Sequence, residues 1–340
     1  MATIRDVAKE AGVSVGTVSN VLNDIPCVSD KKVKQVRDAI EKLGYRRNNL
    51  ASQLRSNVSN TIGLIVPDIT NPFYSEIARG VDDEAHRHNY NVFLCNKDRS
   101  EKLERELVNS LSAKCVDGII ILKPRISQKL IHKIREERCL LLFDTADAAD
   151  GDDVLNVDDV SGVRLAAQKI FRYGHRKVGL IYATDGSFSS ENRKSAFLDE
   201  MRENGIRMPA EYCQKGYFTV EGGMDGFARL MRLPDPPTAV FCINDRMAVG
   251  ALYQAKNMGL EVPGDVSIVG YDDIPEAKWT SPGLSTVSHP KQILGEICAK
   301  KLFAQIAKKN SRITAETEID LTELQPFFVE RVSLGPVRKT

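Results

Sequence analysis

The sequence predicts a small all-α head followed by a two-lobed α/β body of parallel-sheet, Rossmann-like units. Three observations carry this. Residues 1–46 hold three short helical patterns, the first two separated by a compact turn containing Gly12. Residues 61–340 alternate continuous apolar runs with amphipathic stretches, as parallel strands covered on both faces do. Seven or more such units exceed one comfortable sheet, so two lobes are expected.

In the head, Thr3 followed by Asp6 reads as a capping box opening a first helix, with Val7, Ala8 and Ala11 inward. Gly12 ends that helix, and Ser14 caps a second through Val15, Val18, Val21 and Leu22. Ser29 is expected to cap a third, with Val33, Val36, Ile40 and Leu43 at helical spacing and Gly44 as its C-terminal breaker. Helix, short glycine turn, helix is the motif that lays its second helix in the DNA major groove. Val15, Gly16, Thr17 and Asn20 then face the bases, and Asn20 suits the edge of an adenine. Arg5, Ser14, Thr17, Asn23, Lys32 and Lys34 are candidates for phosphate contacts, which position without reading sequence.

Residues 47–60 form a linker. Leu50, Ala51 and Leu54 make one apolar stripe among Asn, Ser, Gln and Arg. A helix this short is not stable alone and folds only when supported. An apolar wedge at Leu54, with Ala51 and Asn48 beside it, costs unstacking energy but bends the duplex and brings more backbone into contact. Packing of Leu54 against the body as a plain anchor is the bland alternative.

The body begins with a strand at Thr61–Val66. Further apolar runs fall at Val92–Cys95, Val116–Leu122, Leu140–Phe143, Val178–Ala183, Ala239–Ile243 and Val266–Val269, with helical patterns between most of them. A second lobe is expected to start near Asp159, and the amphipathic stretch Lys291–Lys308 to return to the first. Ligands of such bodies bind in the cleft at the C-terminal ends of strands. Polar and aromatic residues there are Asp68, Asn71, Phe73 and Tyr74 after the first strand, Asp144 after the fourth run, and Arg193, Phe218, Asn244 and Asp272 in the second lobe. Trp279 follows shortly after. Carboxylates and amides with an arginine and an aromatic plate suit a polyhydroxylated ligand. A charged hydrogen bond contributes about 1.5–3 kcal/mol, so losing Asp272 or Arg193 is expected to remove micromolar binding. Asp245 reads as the cap of the helix that follows it.

Charge is unevenly spread. Residues 1–60 hold 10 Lys/Arg against 6 Asp/Glu, net +4, and the remainder 37 against 40, net −3. A basic head on a slightly acidic body fits a polyanion partner for the head alone. The seven cysteines show no CxxC spacing and are read as reduced core thiols of a cytosolic protein, with no metal expected. No secretion signal and no membrane-spanning run are recognised. Catalysis is not expected. There is no GxGxxG, phosphate-loop lysine or GxSxG, the five histidines lack ligand spacing, and the adjacent Asp272 and Asp273 cannot flank a substrate.

The segments ATIRDVAKEAGVSVGTVSNVLND, VSDKKVKQVRDAIEKLGYRRNNLASQLR, TIGLIVPDITNPFY, CINDRMAVGAL and VSIVGYDDIPEAKWTSPGLSTV resemble the lactose/galactose repressor family of bacterial transcription regulators over nearly the whole chain. The resemblance implies a head at 1–46, a hinge helix within 47–60 and a periplasmic-binding-protein-like body at 61–340. Three crossings near 158–162, 287–291 and 319–323 then divide the body into a first lobe of 61–158 plus 291–319 and a second of 162–287 plus 323–340. It also implies effector contacts at Phe73, Arg193, Phe218, Asn244 and Asp272, ahead of Asp68, Asn71, Asp144 and Trp279. Arg47 stands where the family usually has proline, and Asn20 where many members have arginine, which implies a different outer operator base.

The expected function is therefore sequence-specific repression from operator DNA, by a homodimer using the helix near Tyr74–His86, with a sugar in the cleft releasing it. No other cofactor is expected. Residues 321–340 lack leucine heptads, so a dimer rather than a tetramer is expected. Two alternatives stand beside this: a regulator needing a corepressor or a phosphorylated carrier protein, and a sugar-binding or sugar-processing protein without specific DNA function.

Overall fold

The computed structural model describes residues 2–22, 25–45, 58–146, 153–184, 186–309 and 320–338. The chain divides into two compact units, residues 1–59 and 60–340. Asn23 and the hinge residues Asn48, Ala51 and Leu54 lie outside the described residues.

The first unit holds helices α1 (Ile4–Glu10), α2 (Val15–Leu22) and α3 (Asp30–Leu43). Val7, Val18 and Val36, one from each helix, are fully buried and form the centre of a core with Ala8, Ala11, Val21 and Ala39. Both halves of the Thr3–Asp6 capping box are formed. Ser14 Oγ accepts from Thr17 N at 3.1 Å. Ser29 occupies the cap position of α3, but its side chain makes no capping bond, so the helix begins without that expected support. Gly44 closes α3 in the left-handed region, φ 57°.

The second unit carries two parallel sheets. The first, in order β2-β1-β3-β4-β5, comprises β1 (Thr61–Val66), β2 (Asn91–Asn96), β3 (Gly118–Leu122), β4 (Cys139–Phe143) and β5 (Val154–Leu155). Between these strands run α4 (Pro72–Arg87), α5 (Glu101–Ala113) and α6 (Gln128–Glu137). The second sheet, in order β7-β6-β8-β9, comprises β6 (Val178–Tyr182), β7 (Cys213–Lys215), β8 (Ala239–Cys242) and β9 (Ser267–Val269). Its helices are α7 (Asp159–Arg172), α8 (Phe188–Glu203), α9 (Val220–Met231) and α10 (Asp245–Asn257). Strands β3, β4, β8 and β9 are buried at every residue, which is why they read as unbroken apolar runs. The edge strand β2 differs, since Phe93 and Leu94 are 45% and 51% exposed.

A short α11 (Glu276–Trp279) precedes β10 (Thr286–Ser288), and α12 (Lys291–Lys309) then packs on α4 of the first lobe. Gly80 and Gly295 let the two backbones touch. A Cβ on Gly80 would lie 1.9 Å from Gln292 O, and one on Gly295 2.1 Å from Ile77 O. β11 (Phe327–Val329) pairs antiparallel with β10, a link the sequence pattern did not reveal because each strand is three residues long. Leu324 still packs in the first-lobe core with α12, whereas Leu334 lies in the second-lobe core.

Only three cysteines are core thiols, Cys139, Cys242 and Cys298, while Cys27 and Cys115 are exposed and Cys95 and Cys213 half-buried. Among the described residues no helix is long and apolar enough to cross a membrane, and no His, Cys, Asp and Glu cluster is disposed to hold a metal ion.

Candidate functional site

In the head, α2 presents Val15 (42% exposed) and Gly16 to solvent, with Thr17 and Asn20 half-buried. A methyl group on Gly16 would meet only Ser14 Oγ, at 3.7 Å, so nothing inside the unit demands a glycine there. Thr17 Oγ1 lies 2.9 Å from Ser14 Oγ, which fixes both hydroxyls. Asn20 Nδ2 donates to Cys27 Sγ at 3.2 Å, which orients the amide. Arg5, Ser14, Lys32 and Lys34 are exposed.

In the body, strand ends of both lobes converge on one cleft. Asn71, Phe73, Asp144, Arg193, Phe218, Asn244 and Asp272 all line it. Tyr74 lines it too, and two of the ten body candidates do not. Asp68 is turned to the other lobe, where its Oδ2 pairs with Arg246 at 2.9 Å, and Trp279 on α11 is 77% exposed. Asn71 and Asn244 also cap helices, accepting from Phe73 N at 3.1 Å and from Met247 N at 3.0 Å. Asn244, not Asp245, is therefore the cap of α10. Asp245 is fully buried and accepts instead from Ile274 N and Thr286 Oγ1.

Arg193 organises one side of the cleft. Its Nε donates to Asp159 at 2.8 Å, one terminal nitrogen donates to Asp272 at 3.0 Å and to Ile243 O at 2.9 Å, and the guanidinium stacks 3.8 Å from the Tyr271 ring centre. Burial pushes the Asp159 and Asp272 carboxyls above their usual range, although Arg193 pulls each back. Burial works against the Arg193 charge too, yet the two carboxylates outweigh it and hold that charge firmly.

Lys123 and Arg99 line the other side, and the sequence pattern did not reveal either. Lys123 Nζ lies 3.0 Å from Asp144, 2.7 Å from Ser189 Oγ of the second lobe and 4.8 Å from the Phe218 ring centre. Arg99 sits 5.9 Å from the same ring. Asp144 Oδ1 accepts from Ser189 N at 2.7 Å. Lys123, Asp144, Phe218 and Asp272 all adopt positive φ, at 51°, 60°, 61° and 110°. Such backbone is costly for non-glycine residues and clusters where function demands it.

A helix-turn-helix unit with a clefted, two-lobed body defines the ligand-responsive DNA-binding regulators. Residues 3–48 match the bacterial regulatory proteins of the lacI family, and residues 167–326 the periplasmic binding protein-like domain. The chain is 32% identical over 339 residues to the HTH-type transcriptional repressor PurR of Mannheimia succiniciproducens, covering 99% of this chain and 100% of that protein. It superposes on the lac repressor dimer bound to operator and the anti-inducer ONPF with a TM-score of 0.85, at 26% identity over 98% of each chain. A complex of the transcriptional regulator CelR with cellobiose gives a TM-score of 0.71, at 26% identity over 98% of this chain and 100% of that one. The chain belongs to the lacI family of bacterial regulatory proteins. It is a DNA-binding transcriptional regulator and not an enzyme.

Proposed function

We propose that the protein is a repressor that binds a two-fold operator as a homodimer and is released from it by a sugar held between the lobes. The observation that carries this is the convergence of Phe73, Arg193, Phe218, Asn244 and Asp272 on one cleft. Carboxylate, amide and guanidinium groups there bond hydroxyls, while Phe73 and Phe218 cover an apolar ring face. CelR, a structural neighbour, is described in complex with cellobiose. In the head, Val15, Gly16, Thr17 and Asn20 read base edges. Arg5, Ser14, Asn23, Lys32 and Lys34 hold phosphates, and Leu54, with Ala51 and Asn48, enters the minor groove.

Dimerisation through the first lobe involves α4 and its neighbour β2. The outer face of α4 presents Ser75, Arg79 and His86, and the exposed apolar side chains are those of Phe93 and Leu94 on β2. Coupling of about 1–3 kcal/mol between sugar and operator changes affinity about 5- to 150-fold.

Fluorescence anisotropy on palindromic fragments at fixed salt, with a sugar panel titrated into the complex, tests the switch. Tight binding abolished by a sugar is the expected result. Weak binding that rises only when a small metabolite or a phosphorylated protein is added would overturn the sign of the switch.

A further inference from the structure

Asp272 stands on a loop that leaves the second-lobe sheet yet is fastened to the first lobe. The loop follows β9, and Asp272 at φ 110° and Asp273 at φ 51° put two successive non-glycine residues in the left-handed region. Such backbone persists only where its surroundings over-determine it. Two attachments to the first lobe help to do so. Ile274 is buried and shares the first-lobe core with Ile77 and Val81 of α4. Lys291, the first residue of α12, donates from its Nζ to Asp272 O at 2.8 Å and to Asp273 O at 3.0 Å.

The same ammonium lies 3.7 Å from Glu76 Oε2 on α4. With 4% of its side chain exposed, Lys291 has lost most of its hydration, and two carbonyls and a carboxylate stand where water would. It therefore joins three things. Asp272 reaches the cleft with its carboxylate, where Arg193 holds it, while its carbonyl is held from behind by Lys291. Lys291 begins a helix whose Leu294, Ile297, Cys298 and Leu302 are in the first-lobe core. That helix touches α4 backbone to backbone at Gly80 and Gly295, so a shift of one is passed to the other.

We infer that Lys291 couples the cleft to the dimerising helix: a hydroxyl bound by Asp272 moves the 272–274 loop, and Lys291 passes that movement to Glu76 and α4. The inference rests on the cleft being the effector site and on α4 meeting a second copy. A compact ammonium on a flexible stem can keep all three partners through a small shift. Lys291 and Glu76 are positioning residues and touch neither sugar nor DNA.

The test uses the full-length protein, the palindromic fragment it binds most tightly, and ribose, glucose, galactose and cellobiose as probes. Hydrogen exchange is read first, with no sugar present. Linkage is reciprocal, so a cleft that acts on operator binding is itself changed by operator. Operator is expected to change amide exchange across 270–274 by about fivefold or more in the natural protein. Lys291→Met, which keeps the stem, is expected to bind operator with that change lost. Glu76→Gln, at a side chain 39% exposed, is expected to lose most of it with Lys291 intact, and it decides alone should Lys291→Met fail to fold. For each sugar that binds, the ratio of operator affinities without and with it is expected to fall in Lys291→Met to within about twofold of unity. A lysine that merely stabilised the fold would lower the melting temperature or both affinities and leave that ratio alone. An exchange pattern that operator does not change, or a response that survives the substitutions, would overturn the inference. If none of the four sugars binds while the exchange response still depends on Lys291, the sugar reading falls and the coupling stands.

Discussion

Arg193 and Asp272 meet at 3.0 Å with 5% and 6% of their side chains exposed, and Asp159 holds the same guanidinium from its Nε edge. A cation shared by two buried carboxylates makes removal of either one less damaging than removal of both. Orphaning a buried charge costs about 3–5 kcal/mol. Asp272→Ala and Asp159→Ala are each expected to cost less than this, and the double variant more than their sum. Urea unfolding of the four proteins measures the coupling, and additive losses would show that the three groups act independently.

His289 gives the fold a pH dependence of known sign. It is 2% exposed, its Nε2 lies 2.9 Å from Tyr271 Oη, and burial lowers its pKa to about 3, reinforced by Arg193 and Lys291 and opposed by Asp158. The unfolded chain takes up this proton near pH 6.5, and the folded chain does not until about pH 3. Stability contributed by neutral His289 is thus complete above 6.5 and lost as pH falls toward 3. His175, also depressed by burial, acts in the same direction. His289→Gln is expected to flatten the stability profile between pH 6.5 and 4 by up to one proton, read from urea midpoints. An unchanged slope would rule the group out.

Gly16 separates folding from DNA reading. An alanine methyl there meets nothing closer than Ser14 Oγ at 3.7 Å, and alanine favours a helix interior by roughly 0.5–1 kcal/mol. Gly16→Ala is expected to raise the melting temperature of the head while weakening operator binding about tenfold or more, because the duplex needs that space. Unimpaired operator affinity would remove Gly16 from the reading surface.

Phe93, 45% exposed on an edge strand, is costly to leave in water unless a second copy covers it. Phe93→Glu is expected to shift the protein toward monomer in sedimentation velocity and to lower operator affinity with it. A variant that remains dimeric would place the interface elsewhere.

The amino-acid order alone was enough to recognise the head, both sheets and most of the cleft. Strands such as Gly118–Leu122 and Ala239–Cys242 are buried on both faces and so spell continuous apolar runs. The head's core valines recur at helical spacing, and Asn71, Phe73, Arg193, Asn244 and Asp272 follow strands, where such clefts form. Local pattern could say nothing about partners brought from afar. Lys123 enters the cleft because its backbone turns left-handed over a Lys97–Glu104 pair, and Arg99, also left-handed, reaches the Phe218 ring from the turn after β2. Asp68 is held by Thr70 beside it and by Arg246, 178 residues away, rather than lining the cleft. A side chain's residue type and spacing are written locally, but where it points, and how its charge is balanced, depend on neighbours that only tertiary packing supplies.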